Sequence, residues 1–147
     1  MAAGGLVQGT EGNASARAGE LIAVSPSSLP YETLRPEDVC LVAPGGELLE
    51  GPKPSVELPL HLAVYAARPD VGAVVHTHSP RATAAPPVPV AEGASGTEEL
   101  GAAVVEAAGD GYEVVMRDHG PVCFGTDLAE ALARAFGLEA RTGPEEP

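Results

Sequence analysis

Short apolar runs separated by glycine and proline turns fill the first third of the chain, and this pattern predicts strands joined by hairpins. The glycine-punctuated segment 9–17 runs into a hairpin whose second strand is 20–24. A second hairpin joins a strand at 39–43 to a strand at 47–50 through a Pro-Gly-Gly turn. Successive hairpins predict a mostly antiparallel sheet, because neighbouring strands of a parallel sheet need long crossover connections.

The middle of the chain changes from helical to strand periodicity. Leu58, Leu62 and Tyr65 repeat at helical spacing and predict an amphipathic helix. The helix should stop at Arg68, because the proline that follows disfavours α geometry at the preceding residue. The β-branched run at 71–77 then predicts a strand.

The last third of the sequence predicts two further helices around one strand. The proline-rich run 84–90 is expected to be a stiff connection without regular structure. A helix is predicted from 96 to about 108 and a strand at 112–116. Asp127 and Glu130 form a predicted capping box for a last helix that ends near Phe136.

These elements predict a single α/β domain at 1–140, followed by a disordered tail at 141–147. The domain should contain a mostly antiparallel central sheet with helices on both faces. A chain of 147 residues can bury a sizeable core, which must be aliphatic because only 3% of the residues are aromatic.

Net charge and hydropathy exclude several kinds of partner. The formal charge of −13 argues against nucleic acid and anionic membranes as partners. No apolar run approaches about 18 residues, so no transmembrane helix is predicted. The first residues lack the basic and apolar regions of a signal peptide. Cys40 and Cys123 lie in separate apolar runs and are expected to be reduced core thiols, so a cytoplasmic protein is predicted.

The candidate chemistry rests on histidines at predicted strand ends. His76 and His78 are two residues apart on one predicted strand, so their side chains leave by the same face. Such a pair can also be two surface histidines. His119, in the turn R-D-H-G after another apolar run, and Glu57 on the preceding helix favour a metal site instead. Three neutral imidazoles with one open position are typical of a catalytic metal site.

Two residues of the predicted helix keep alternative interpretations. Glu57 can act as an acid/base, or it can be a surface carboxylate that stabilises the helix N-terminus. His61 lies four residues after Glu57 on the same helix face. It could orient Glu57 or a metal ligand, but a structural histidine with satisfied hydrogen bonds is the favoured interpretation.

Three motifs together resemble the class II aldolase/adducin family, and within it the L-fuculose-phosphate aldolase group. They are K-P-S-x-E-L-P-L-H-L-A-x-Y, R-P-D-V-G-A-V-V-H-T-H-S-P and R-D-H-G, and the resemblance covers about 5–135. It implies a Zn²⁺ ion, or another divalent metal, held by His76, His78 and His119, with Glu57 as the acid/base. It also implies a homo-oligomer, a tetramer with its sites at subunit boundaries.

The resemblance also implies residues that bind the substrate's phosphate or carboxylate. Gly12 and Asn13 match the family's G-N, which holds such a group through backbone N–H groups and the Asn amide. Ser27 and Ser28 lie in S-P-S-S-L-P-Y, which resembles the family's anion loop, and Ser55 matches a serine at the helix start. Read without the resemblance, these residues are ordinary turn and loop residues.

The chain departs from the family pattern in several places. Ser28 stands where the family has glycine, Val56 replaces a second serine, and Asp118 replaces an asparagine. An extra helix and strand in the middle look deleted. The family's first helix and a tyrosine in its tail also have no counterpart here.

The resemblance implies a zinc-dependent aldolase-like lyase that cleaves a small sugar phosphate, of the L-fuculose 1-phosphate type, through a metal-stabilised enediolate. A small sugar phosphate or hydroxy-carbonyl compound is therefore the expected partner. Two alternatives stay open. The chain could be a shortened, non-catalytic binding or assembly protein in the manner of adducin heads, or it could run another reaction of the same scaffold, such as epimerisation, decarboxylation or dehydration.

Overall fold

Across residues 1–84, 86 and 88–142, which the computed structural model describes, the centre of the molecule is an eight-stranded sheet. The strands in chain order are β1 (Asn13–Ala18), β2 (Leu21–Val24), β3 (Cys40–Val42), β4 (Leu48–Glu50), β5 (Ala73–His76), β6 (Val90–Ala91), β7 (Glu113–Met116) and β8 (Gly120–Gly125). Their order across the sheet is β4-β3-β2-β1-β5-β8-β7-β6. Every pairing is antiparallel except that of β6 with β7, so the predicted sheet is confirmed.

Helices cover both faces of this sheet, as predicted. They are α1 (Leu58–Ala67), α2 (Pro80–Ala84), α3 (Glu98–Ala108) and α4 (Leu128–Arg141). Neighbouring residues of β5 point to opposite faces, which separates two apolar cores. Val74 packs into the core that includes Val64 of α1 and Val104 of α3. Val75 packs into the other core with Ala131 of α4.

The helix that follows Glu57 ends where the sequence predicts, at Arg68. Glu57 is its N-cap residue, and the Ser55 hydroxyl accepts the backbone N–H of Glu57 at 3.2 Å in the turn before it. At the other end, the Arg68 N–H donates to the carbonyl of Val64, and the next residue is a proline.

Two short elements that the sequence did not predict lie at the two ends of the proline-rich run 84–90, whose described residues 86, 88 and 89 have no regular structure, as expected. Helix α2 ends at the start of the run, and its first N–H groups at Arg81 and Ala82 donate to the Glu139 carboxylate at 3.2 and 3.0 Å. Strand β6 begins at the end of the run, where Pro89 accepts the N–H of Val115. Both elements depend on groups far away in the sequence, so the local pattern could not show them. Residues 85 and 87 of this run lie outside the described part.

The last helix is longer than predicted, because α4 continues to Arg141 rather than ending near Phe136. Its start is as predicted, since Asp127 Oδ1 accepts the Glu130 N–H at 2.8 Å. The Arg141 guanidinium is bonded to the Glu113 carboxylate at 2.7 Å, which ties down the last turn. Of the tail predicted at 141–147, residues 143–147 lie outside the described part.

Both cysteines are buried and unpaired, as expected. Burial raises the pKa of the Cys123 thiol to about 12, so the buried group stays protonated. Within the described ranges, no helix combines the length and the apolar character that a bilayer span requires.

Candidate active site

The sheet register brings distant parts of the chain to one end of its central strands. His76 is the last residue of β5, and it pairs with Asn13 of β1 on one side and with Val122 of β8 on the other. His78 follows two residues later. His119 lies in the tight turn between β7 and β8, where its N–H donates to the Met116 carbonyl at 3.0 Å.

Three imidazole rings converge at this end of the sheet. The ring centroids of His76 and His78 are 5.0 Å apart, those of His76 and His119 4.7 Å, and those of His78 and His119 5.2 Å. One nitrogen from each ring lies within 4.8 Å of the others. Burial lowers the pKa of both His78 and His119. Neutral imidazoles are the form that ligates a metal ion.

The environment of His76 fits a metal ligand. Its Nδ1 lies 2.9 Å from the Pro121 carbonyl, which can only accept, so Nδ1 carries the ring proton. Nε2 of this fully buried ring then presents a lone pair. Among the described residues it has no hydrogen-bond partner, although Oε2 of Glu57 lies 3.1 Å away. A cation at this point would satisfy the lone pair, and an Nδ1–H bonded to a carbonyl is a common arrangement for histidine ligands.

Glu57 faces the three imidazoles from the N-terminus of α1, and it is only 5% exposed. Its Oε2 accepts the Asn13 amide at 2.9 Å, and its Oε1 accepts the Ser95 hydroxyl at 3.0 Å. Burial alone would raise the pKa of Glu57. A proton at His76, followed by the Asn13 amide and the charge of His119, would instead hold that pKa well below its usual range, and a metal ion among the imidazoles would act in the same direction. Glu57 is therefore expected as a largely buried, ionised carboxylate.

A cavity of about 200 Å³ opens in front of this carboxylate. His78, His119 and Glu57 line it, whereas His76 is fully buried. The residues that the sequence suggested for substrate binding all line it too: Gly12, Asn13, Ser27, Ser28 and Ser55. The structure therefore brings these candidate residues together around one pocket.

Two of these residues have backbone conformations that suit glycine. Gly12 has φ +72°, and an added Cβ would lie 2.6 Å from the His76 carbonyl oxygen. β1 can therefore lie this close to His76 only with glycine at position 12. Ser28 has φ 59° although it carries a side chain. It keeps the left-handed backbone that glycine favours, at the cost of some strain.

The resemblance implied that the Asn13 amide binds the substrate's phosphate or carboxylate, but both ends of this amide are engaged by protein groups. Its Nδ2 donates to Glu57, and its Oδ1 lies 2.5 Å from Nε2 of His61. Asn13 thus connects the candidate acid/base to a buried histidine. This contact makes positioning of Glu57 its visible role.

Sequence reasoning missed the polar groups that continue behind Asn13. The Ser15 hydroxyl lies 2.5 Å from Nδ1 of His61 and 2.8 Å from the Tyr65 hydroxyl. Ser95, in the connection after β6, was also missed. A readable signal existed for the first group. Polar residues alternate in the strand motif N-x-S-x-R, and polar residues recur every fourth position in the helix motif E-x₃-H-x₃-Y.

Comparison with known proteins gives a consistent picture. The family model described as "Class II Aldolase and Adducin N-terminal domain" matches residues 1–86 and 84–142. A 5-deoxy-D-ribulose 1-phosphate aldolase of Bacillus thuringiensis serovar kurstaki is 36% identical, over 95% of this chain and 76% of that protein. An L-fuculose phosphate aldolase of Methanococcus maripaludis is 34% identical, over 90% of this chain and 83% of that protein. Among solved structures, an L-fuculose 1-phosphate aldolase superposes with a TM-score of 0.89 at 26% identity, over 94% of this chain and 76% of that one.

Proposed function

Because the chain belongs to the class II aldolase and adducin family, we propose that it is a zinc-dependent aldolase that cleaves a small sugar phosphate of the L-fuculose 1-phosphate type. One observation carries this proposal. One nitrogen from each of three imidazole rings lies within 4.8 Å of the others, and the Glu57 carboxylate faces them beside a small pocket. A metal site and a separate proton-transferring group are the two parts that metal-assisted aldol cleavage needs.

His76, His78 and His119 would hold the ion. Three nitrogen ligands with a fourth position open toward a pocket are the usual arrangement of catalytic zinc. A divalent cation there supplies a Lewis acid that polarises the carbonyl of the substrate. The lone pair of His76 Nε2 supports this assignment, since the ring proton is on Nδ1.

Glu57 is the group we assign to proton transfer. In cleavage of a ketose 1-phosphate, the C4 hydroxyl loses its proton and the C3–C4 bond breaks. C4 leaves as an aldehyde, while the electron pair passes into the enolate over C2 and C3. C3 is then protonated, so no proton is gained or lost overall. An ionised carboxylate beside the substrate can accept a proton and return one to carbon.

The far end of the pocket would take the phosphate. Ser27, Ser28 and Ser55 bring three hydroxyl groups to the lining, and the N-terminus of α1 adds the favourable end of a helix dipole. The named relatives act on 5-deoxy-D-ribulose 1-phosphate and L-fuculose phosphate. A cavity of about 200 Å³ restricts the substrate to a small molecule of that kind.

We extend the proposal to the setting of the protein. Two unpaired, buried thiols support a reducing, cytoplasmic location. The family resemblance supports a homo-oligomer, namely a tetramer. The proposed partner is the small-molecule substrate, and no nucleic acid is proposed as a partner.

The test combines metal analysis with an aldol-cleavage assay. Protein purified without chelator would be incubated with L-fuculose 1-phosphate, 5-deoxyribulose 1-phosphate and other ketose 1-phosphates, and released dihydroxyacetone phosphate would be measured. Turnover that disappears on chelation and returns with zinc supports the proposal. Zinc-loaded protein that cleaves none of these substrates would overturn it and favour a non-catalytic binding protein.

A further inference from the structure

Behind the candidate acid/base, polar side chains form a continuous row between strand β1 and helix α1. Asn13 and Ser15 leave the same face of β1, because they are two residues apart. Glu57, His61 and Tyr65 are four residues apart and lie on one face of α1. The strand and helix periodicities therefore match, and each hydroxyl or amide on the strand bridges two side chains on the helix.

The direction of each hydrogen bond follows from the one before it. The Asn13 NH₂ group donates to Oε2 of Glu57, so the Asn13 oxygen points toward His61. That oxygen is an acceptor, so Nε2 of His61 carries the ring proton. Nδ1 of a neutral His61 must then accept from the Ser15 hydroxyl, whose oxygen in turn accepts from Tyr65.

Burial keeps this row intact. His61 is fully buried, Ser15 is 2% exposed and Tyr65 is 5% exposed, so water cannot replace a lost partner. Burial lowers the pKa of His61 to about 3. The ring therefore stays neutral and keeps one donor and one acceptor nitrogen.

We propose that Tyr65, Ser15 and His61 act through Asn13 as a directed hydrogen-bond chain that positions the Glu57 carboxylate. They are positioning residues, because none of them lines the pocket of the reacting groups. No proton travels along the chain. Its effect is to hold one oxygen of Glu57 in place while the other faces His119 and the pocket. This inference takes only the reaction of Glu57 from the proposed function. The hydrogen-bond chain itself does not depend on which reaction that is.

The first test uses Ser15→Ala, which removes the hydroxyl that links Tyr65 to His61. Loss of geometry at Glu57 should lower kcat by about tenfold to a hundredfold while metal content is unchanged. In a Glu57→Gln background, Ser15→Ala should lower kcat further by less than about twofold. A group that acts through Glu57 has no carboxylate left to position in that variant. If the kcat losses of the two single variants multiply in the double variant, the proposal is overturned.

Val64→Ala is the matched control. Val64 is fully buried on the same helix, but its side chain packs in the apolar core and takes no part in the hydrogen-bond chain. It should lower the stability of the protein while kcat stays within about twofold of wild type. If Val64→Ala lowers kcat as much as Ser15→Ala does, the effect of Ser15 is merely structural and the proposal fails.

A second measurement does not depend on activity. In nitrogen-15 NMR spectra of the whole protein, the His61 ring should show the tautomer protonated at Nε2. The Asn13 side-chain amide resonances should shift in Ser15→Ala, and they should also shift in Glu57→Gln. A ring protonated at Nδ1, or Asn13 amide resonances unmoved by Ser15→Ala, would overturn the proposed hydrogen-bond chain even if the enzyme is active.

The two proposals can fail separately. A wild type that binds zinc but cleaves no ketose phosphate would overturn the proposed function, and the NMR result would still decide whether the hydrogen-bond chain exists.

Discussion

Oε2 of Glu57 lies 3.1 Å from Nε2 of His76, so a buried carboxylate faces the lone pair of a buried imidazole. Two electron-rich atoms at this distance repel each other unless a positive charge lies beside them. A proton or a metal ion can supply that charge. The two further imidazoles nearby favour the metal ion.

We therefore expect one divalent ion, zinc in the first instance, for each chain. Elemental analysis of protein purified without chelator measures it directly. His119→Ala should lose the ion, because it removes one of three ligands. His61→Gln should keep it, because both ring nitrogens of His61 are already hydrogen-bonded. A metal content near zero that zinc cannot restore would contradict this prediction.

Glu57→Gln separates chemistry from ligation. The amide keeps the shape of the side chain but cannot take up a proton, so kcat should fall by about 10²–10⁴-fold. Zinc content and circular dichroism should match wild type. A Glu57→Gln protein that loses zinc as fully as His119→Ala does would show that Glu57 is itself a ligand.

Gly12→Ala should destabilise the protein more than an ordinary turn substitution does. Its added Cβ would meet the His76 carbonyl oxygen at 2.6 Å, and its φ of +72° already disfavours a side chain. Gly19→Ala is the matched control, because it has φ +63° and no atom within 4 Å of the added Cβ. The control should lose about 1 kcal/mol of unfolding free energy, and Gly12→Ala clearly more, as measured by denaturant titration. Equal losses would mean that the strand can move away from His76.

Ser28→Gly should stabilise the protein, because it relieves a left-handed backbone conformation in the pocket wall. The expected gain is roughly 0.5–1 kcal/mol in the free energy of unfolding. Ser27→Gly, the neighbouring control without a positive φ, should instead lose a similar amount. If the proposed phosphate end is right, Ser28→Gly should also lower KM for a ketose 1-phosphate, since the backbone can approach the phosphate more closely.

Both cysteines should titrate as free thiols once the protein is denatured without reductant. In the native protein they should react slowly, because both side chains are buried and burial raises the pKa of each. A thiol reagent such as dithionitrobenzoate measures both states. Detection of no free thiol in the denatured protein would contradict the unpaired arrangement and the proposed reducing compartment.

Local patterns predicted the parts of the fold that local physics determines. The hairpins, the end of α1 before Pro69 and the Asp127 cap each depend on a few neighbouring residues. Helix α2 and strand β6 were missed because their backbone groups bond to Glu139 and to β7. Such partners become visible only after the chain has folded.

The candidate site, like the fold, could be predicted where it depends on neighbouring residues and could not where it depends on distant ones. The spacing of His76 and His78 placed two imidazoles together without any knowledge of the fold. His119 and Glu57 were joined to them by residue type, by position at predicted element ends and by the motif resemblance, because the sheet order that brings them close is not visible in the sequence. The role of Asn13 could not be read, because its amide direction is determined by His61 on another element.

The position of β5 between β1 and β8 has a consequence for how the molecule folds. The strand that ends in His76 can complete its edges only after the first and the last parts of the chain have both arrived. Such non-local pairing slows folding, and an unpaired apolar strand edge is exposed until it is complete. A ribosome-bound chain that lacks β8 would therefore present β5 as an aggregation-prone edge, and the last hairpin to be synthesised both closes the sheet and delivers His119.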